Sequence, residues 1–181
     1  MKKKYAALIF CAIGLLLGSV TSEAKKKPSV TAESAIVMDV QSGAILYEKN
    51  IDKREYPASI TKVMTALVAI ENSSLSETVT YSRNAVTNLE SGASNIEIQP
   101  GEKLSMEDSL YAILLMSANE ACNGVAEHVA GSIDNFVAMM NQKAKELGCT
   151  GTNFANANGL WMSNHYTTAH DMASVSYTHL R

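Results

Sequence analysis

The chain is poor in three residue types that usually mark special architectures: 3 cysteines, 3 prolines and 10 glycines among 181 residues. So few cysteines exclude a disulfide-dense scaffold, and so little Gly and Pro excludes collagen-like sequence. Positive charge is also scarce. From Pro28 onward nine basic groups face 17 acidic ones, a net −8. A domain of that sign lacks the electrostatic footprint of a nucleic-acid binder. Hydrophobic residues make up 46%, too many for an intrinsically disordered chain. The length suits one domain with a real core, with room for a small subdomain.

Long apolar runs are scarce as well. The one present, Ala6 to Val20, follows Lys2, Lys3 and Lys4 and precedes Ser22-Glu23-Ala24. This is the three-part pattern of a secretory signal peptide. It is shorter than the roughly 20 residues that span a bilayer, although an uncleaved anchor is the alternative. Cys11 lies in mid-run, away from any lipid-attachment position. Residues 1–24 are therefore expected to be a signal peptide, and residues 25–34, opening on Lys25-Lys26-Lys27, a solvated leader. Export would place the product in the cell envelope outside the cytoplasmic membrane, periplasmic or extracellular. It would permit a disulfide between Cys122 and Cys149, but Cys122 sits in a helical pattern that favours a buried free thiol.

Ser34 to Val40 and Ala44 to Glu48 flank Gln41-Ser42-Gly43 and predict a β-hairpin. Pro57 opens a run to Glu71 without Gly or further Pro, in which Ile60, Met64, Leu67 and Val68 share a face. That spacing predicts a helix buried nearly all round. Val79-Thr80-Tyr81 reads as a short strand and Ser82 to Leu89 as a short helix. Ser105 and Asp108 fit a capping box. The helix behind them places Leu110, Ile113, Leu114 and Ser117 on one face. Glu120 to Val129 forms another helix closed by Gly131, and Ser132 caps the next, with Phe136, Met139, Met140, Ala144 and Leu147 inward and Gly148 as its stop. Thr168 and Asp171 cap a last helix from Ala169.

The sequence has no G-x-S-x-G, H-E-x-x-H, Walker loop or G-x-G-x-x-G. His128, His165, His170 and His179 lack metal-ligand spacing. What remains is Ser59-Ile60-Thr61-Lys62 at the head of the buried helix. A serine hydroxyl needs a base to take its proton, and a neutral lysine three residues on can do so. Burial in an apolar helix lowers a lysine pKa, the direction that catalysis needs. Free backbone N–H groups at the helix head offer part of an oxyanion hole. The spacing alone also fits a helix-capping serine and a solvated lysine, and Ser22 with Lys25 repeats it by chance. Ser117-Ala118-Asn119 is the second candidate, a hydroxyl and a carboxamide able to enter one cleft. Ser82-Arg83-Asn84 repeats that pattern, and helix-end hydrogen bonding is its plain alternative.

The two motifs with their flanks, Tyr56-Pro57-Ala58-Ser59-Ile60-Thr61-Lys62-Val63-Met64-Thr65-Ala66-Leu67 and then Ser117-Ala118-Asn119, closely resemble the serine D-alanyl-D-alanine carboxypeptidases, the low-molecular-mass penicillin-binding proteins. The resemblance continues through Gly92-Ala93-Ser94, Pro100-Gly101-Glu102, Asn119-Glu120-Ala121-Cys122, Asn158-Gly159-Leu160 and Tyr166 to Ala173. It implies an α+β fold of the DD-peptidase/β-lactamase (penicilloyl-serine transferase) type, an antiparallel sheet flanked by helices. It implies Ser59 as the acylated nucleophile, Lys62 as its base, and Ser117 and Asn119 as the second motif, with Asn119 binding substrate. Substrates would be peptidoglycan stem peptides ending in D-Ala-D-Ala. β-Lactam antibiotics would acylate the same serine, and no metal or organic cofactor is expected.

The resemblance also has a gap. The family's third motif, Lys-Thr-Gly on a sheet strand, is absent, and Cys149-Thr150-Gly151 has the wrong first residue and the wrong place. Residues 35–173 are therefore expected to be a partial catalytic domain, incomplete at the C-terminus, and residues 174–181 an atypical tail. Peripheral membrane association would need the family's C-terminal region. The chain by itself is expected to show little or no acylation and poor solubility. A class A β-lactamase shares Ser-x-x-Lys but normally has Ser-Asp-Asn where Ala118 stands here. A non-catalytic envelope-binding protein retaining the helical part is the remaining alternative.

Overall fold

Pro57 and the apolar run behind it set the centre of the fold. In the computed structural model, which describes residues 28–87 and 89–179, Pro57 leads into a 3-10 turn, Ala58–Ile60, and then helix α1, Thr61–Asn72. Met64, Leu67, Val68 and Ala69 of α1 are essentially inaccessible to solvent, and Thr61, Lys62, Thr65 and Ala66 are buried with them. Only its last turn emerges, with Ile70 46% exposed. The helix is thus buried nearly all round, as its weakly polar faces predict. Each large apolar side chain so enclosed contributes roughly 1.5–3 kcal/mol. The signal-peptide assignment for residues 1–24 lies outside the described residues.

Two small antiparallel sheets lie at the edges. The predicted hairpin forms from β1, Ala35–Met38, and β2, Ile45–Lys49, with Ala35 opposite Lys49 and a register irregularity between Val37 and Met38. The second sheet pairs β3, Thr78–Thr80, with β4, Lys103–Ser105, a strand that three residues of mixed polarity do not announce. Ile96 and Ile98, although alternating, form no strand.

Four longer helices complete the packing. Short α2, Arg83–Thr87, precedes them. Helix α3, Met106–Leu115, starts on the expected capping box, where Ser105 Oγ accepts from the Asp108 N–H at 3.0 Å. Helix α4, Asn119–Ala130, ends at Gly131, whose φ of 75° is the left-handed conformation that favours glycine. Helix α5, Ile133–Glu146, is capped by Ser132 and buries Phe136, Met140 and Ala144. Helix α6, Ala169–His179, packs against β1 and α1. Around α1 stand α3, α4 and α5, and the packing of α4 is close: a Cβ on Gly124 would lie 2.3 Å from the Tyr81 ring. Tyr81 is fully buried, donates to Ser109 Oγ at 2.7 Å, and is pushed up to about 12 by burial.

Two readings of the sequence need correction. Leu114 is 53% exposed and does not share the buried face of Leu110 and Ile113. Ser117 is not on α3 at all. The helix stops at Leu115, the N–H groups of Met116 and Ala118 both donate to the Ala112 carbonyl, and Ser117 takes φ 55°.

Candidate active site

Ser59, Lys62, Ser117 and Asn119 come from two stretches of the chain and meet at one point. The 3-10 turn carries Ser59 to the surface, while Lys62, in the first turn of α1, is only 3% exposed. Lys62 Nζ lies 3.3 Å from Ser59 Oγ. The strained connection between α3 and α4 turns Ser117 inward, so that its hydroxyl stands 3.0 Å from that of Ser59. Asn119, the first residue of α4, presents Oδ1 to Lys62 Nζ at 2.9 Å. Its N–H and its Nδ2 both donate to the Ser94 carbonyl, at 3.0 and 2.9 Å. That pairing determines which end of the carboxamide faces the lysine.

A further partner of Lys62 is a backbone atom. The Asn158 carbonyl accepts from Nζ at 2.6 Å. It is delivered by a loop that folds on its own asparagines: Asn156 Oδ1 accepts from the N–H groups of Asn158 and Gly159, and Asn158 Oδ1 from that of Leu160. Thr65 of α1 donates to the Ala157 carbonyl at 2.6 Å, pinning the same loop. Burial holds the Lys62 amine below its ordinary value, opposed in part by interaction with Cys122. Cys122 is itself buried and unpaired, as is Cys149, and burial pushes the Cys122 thiol up to about 12.

His165 supports the site from below. Its Nδ1 accepts from the Ala155 N–H at 2.9 Å, so the proton sits on Nε2, which lies 2.8 Å from Thr61 Oγ1. Burial pushes its pKa down to about 4. The unfolded chain therefore binds a proton that the native state refuses between pH 6.5 and about 4. The contribution of neutral His165 is fully present above pH 6.5 and is lost as pH falls towards 4, by up to about 1.4 kcal/mol per pH unit. Urea midpoints measured from pH 7 to pH 4 should fall more steeply in the wild type than in His165→Gln. Equal slopes would refute this account.

These groups border a cavity of about 350 Å³ lined by Ser59, Ser94, Asn119, Asn158, Gly159 and Trp161, among others. Tyr56 and Trp161 stand together at its mouth, ring centroids 6.4 Å apart, and both are largely exposed. Among the described residues no group of three His, Cys, Asp or Glu side chains is placed to hold a metal ion. No described helix is long and apolar enough to cross a membrane.

A serine hydroxyl beside a desolvated amine, with a second hydroxyl and a carboxamide in reach, is an arrangement suited to acyl transfer. The family model for D-alanyl-D-alanine carboxypeptidase matches residues 21–181. The chain belongs to that family. D-alanyl-D-alanine carboxypeptidase DacF of Bacillus subtilis (strain 168) is 36% identical over 185 residues, covering 96% of this chain and 47% of the relative. DacC of Escherichia coli (strain K12) is 37% identical over 154 residues, covering 81% and 38%. Among solved structures, the carboxypeptidase DacD from Francisella tularensis matches with a TM-score of 0.80 at 36% identity, covering 86% of this chain and 38% of that one. Penicillin binding protein 5 from Haemophilus influenzae matches with a TM-score of 0.81 at 33% identity, covering 86% and 47%. The chain spans less than half the length of these relatives.

The DD-peptidase fold expected from the motifs is thereby shown, and these relatives give no support to the β-lactamase or binding-protein alternatives. All four candidate side chains converge as a cluster. Sequence reasoning did not pick out the Asn158 carbonyl, the Ser94 carbonyl, or the Thr61–His165 pair. The first two are backbone atoms, which leave no side-chain signature. His165 was visible, but without metal-ligand spacing nothing tied it to Thr61.

Proposed function

We propose that this chain carries the acyl-transfer machinery of an exported serine-type D-Ala-D-Ala carboxypeptidase acting on peptidoglycan stem peptides. The observation that carries this reading is the placement of Lys62. A neutral amine has two N–H donors and one lone pair. The two shortest contacts of Nζ, to Asn158 O and Asn119 Oδ1, take the donors, which leaves the lone pair for the Ser59 hydroxyl.

Ser59 Oγ then attacks the carbonyl carbon of the penultimate D-Ala while its proton passes to Lys62. The tetrahedral intermediate collapses, the C–N bond breaks, and the proton reaches the departing amine through Ser117, whose hydroxyl touches that of Ser59. Water afterwards attacks the Ser59 ester, releasing the shortened peptide and restoring the hydroxyl. A β-lactam would acylate the same oxygen. The Lys-Thr-Gly string does not occur in this sequence. In the family its strand supplies a carboxylate-binding cation and an oxyanion donor, and one such donor is worth roughly 10²–10³ in rate.

The test is covalent labelling. Incubating the full-length protein with a fluorescent penicillin should give an adduct that peptide mass spectrometry maps to Ser59, and Ser59→Ala should give none. Rapid turnover of the drug would favour a β-lactamase. A folded protein that forms no adduct would overturn the catalytic reading.

A further inference from the structure

Glu120 is the least explained residue near the site. It follows Asn119 in the first turn of α4 and is 1% exposed. Its Oε1 accepts from the Ile96 N–H at 2.6 Å, while Oε2 is buried with no hydrogen-bond partner among the described residues. A half-satisfied buried carboxyl is a poor stabilising element, since each unpaired polar atom costs about 1–3 kcal/mol. The helix N-terminus suits an acidic residue and offsets part of that cost. What the bond accomplishes lies two residues back along the loop. Ile96 follows Asn95 and Ser94, and the Ser94 carbonyl receives both the N–H and the Nδ2 of Asn119. Gly92, Ala93 and Ser94 form one wall of the cavity that holds Ser59.

We propose that Glu120 is a positioning residue: by tethering Ile96 it holds the Ser94 carbonyl in place and so keeps the Asn119 carboxamide turned with Oδ1 towards Lys62. This rests on the reading of Lys62 as the base. The carboxamide is nearly symmetric in shape, so its orientation is set by its partners. With Ser94 displaced, nothing prevents a half-turn that aims Nδ2 at Nζ. Two donors would then face each other, and the amine would lose an acceptor that favours its charged form. The expected result is a lysine misaligned with Ser59 and titrating lower.

Cys122 is the titratable group that interacts with both Glu120 and Lys62, and Tyr81 also interacts with Glu120. Burial pushes both of these groups up to about 12. Neither therefore changes charge at neutral pH, and a limb of the profile that lies below their range reports the amine.

Three substitutions test the idea in the full-length protein. Glu120→Gln keeps an acceptor of the same reach. Glu120→Asp keeps the charge but is one methylene short, and Glu120→Ala removes both. Asp and Ala should slow penicillin acylation of Ser59 roughly 10- to 100-fold. They should also move the acid limb of the acylation–pH profile to lower pH and speed hydrogen exchange at the Ile96 amide. Gln should stay within about threefold of the wild-type rate, with an unmoved limb. A role in folding alone would lower the melting temperature without moving the limb. If Ala fails to fold, the Asp–Gln contrast decides. Asp behaving as Gln in rate, profile and exchange would overturn the proposal. A wild type that is never acylated would instead sink the base reading, and Ile96 exchange would still report whether the tether exists.

Discussion

Lys62→Met is expected to leave a folded protein in which Ser59 acylates roughly 10²–10⁴-fold more slowly, the range that a general base supplies. Methionine matches the length of the stem and carries no charge. Lys62 sits 3% exposed between α1, α4 and the Asn156–Leu160 loop, so a neutral thioether fills its space without strain. Two acceptors, Asn119 Oδ1 and the Asn158 carbonyl, lose their donor, which costs about 1–3 kcal/mol each. Removing an amine whose charged form burial disfavours offsets part of that loss. The melting temperature should therefore fall, but by less than the two lost donors alone would cost.

The pH dependence sharpens the test. Because the folded-state pKa of Lys62 is lowered, the unfolded chain binds the extra proton between that value and 10.5. Lys62 therefore makes native stability rise with pH across that window, and the acylation rate should climb with pH as the amine becomes neutral. Both slopes should vanish in Lys62→Met. Labelling time courses against pH, beside thermal melts, would measure them. A methionine variant acylating at the wild-type rate would remove Lys62 from the mechanism.

How much of this could be read before the structure depended on how local the determinant was. Ser59 and Lys62 were legible because one helical turn fixes their relation, and Pro57 announces where that turn begins. The caps Ser105 and Ser132 and the stop Gly131 were legible for the same reason. Ser117 was found for the wrong geometric reason. Helical spacing extended from Leu110 would put it on the face of α3, but Ala112 accepts from both Met116 and Ala118 and reverses the chain at Ser117. Serine has no side-chain preference for a left-handed φ that would announce such a turn. The acceptors of Lys62 were half hidden. Asn119 could be named, whereas Asn158 acts through its carbonyl, and only the folded loop aims that oxygen. Strand β4 depends on its partner β3 rather than on its own three residues.

Gly159→Ala is expected to be among the most damaging single changes outside the titrating groups. Gly159 has φ 85°, in the region that L side chains rarely adopt, and a Cβ there would lie 2.0 Å from the Ala58 carbonyl oxygen and 2.6 Å from its carbon. Backbone cannot swing aside as a flexible side chain does. The left-handed conformation alone costs roughly 1–2 kcal/mol for alanine. The overlap adds about 1–3 kcal/mol as the two segments part. The part that must yield borders Ser59 and Lys62. Ala58 already holds a φ of 49°, and the next residue is Ser59. On the other side, Asn158 sends its carbonyl to Lys62 at 2.6 Å. Separating the loop from the 3-10 turn therefore withdraws the acceptor from the amine and shifts Ser59 at once. Denaturation should show a loss of about 2–5 kcal/mol. Acylation of Ser59 in the fraction that remains folded should fall roughly 10²-fold, since displacements near 1 Å at a reacting centre have that effect. Titrating folded protein by native-state proteolysis and normalising the labelling rate to it separates the two losses. If stability falls while the normalised rate holds, the close approach at Gly159 serves packing alone, and the positioning of Lys62 by the Asn158 carbonyl loses its support.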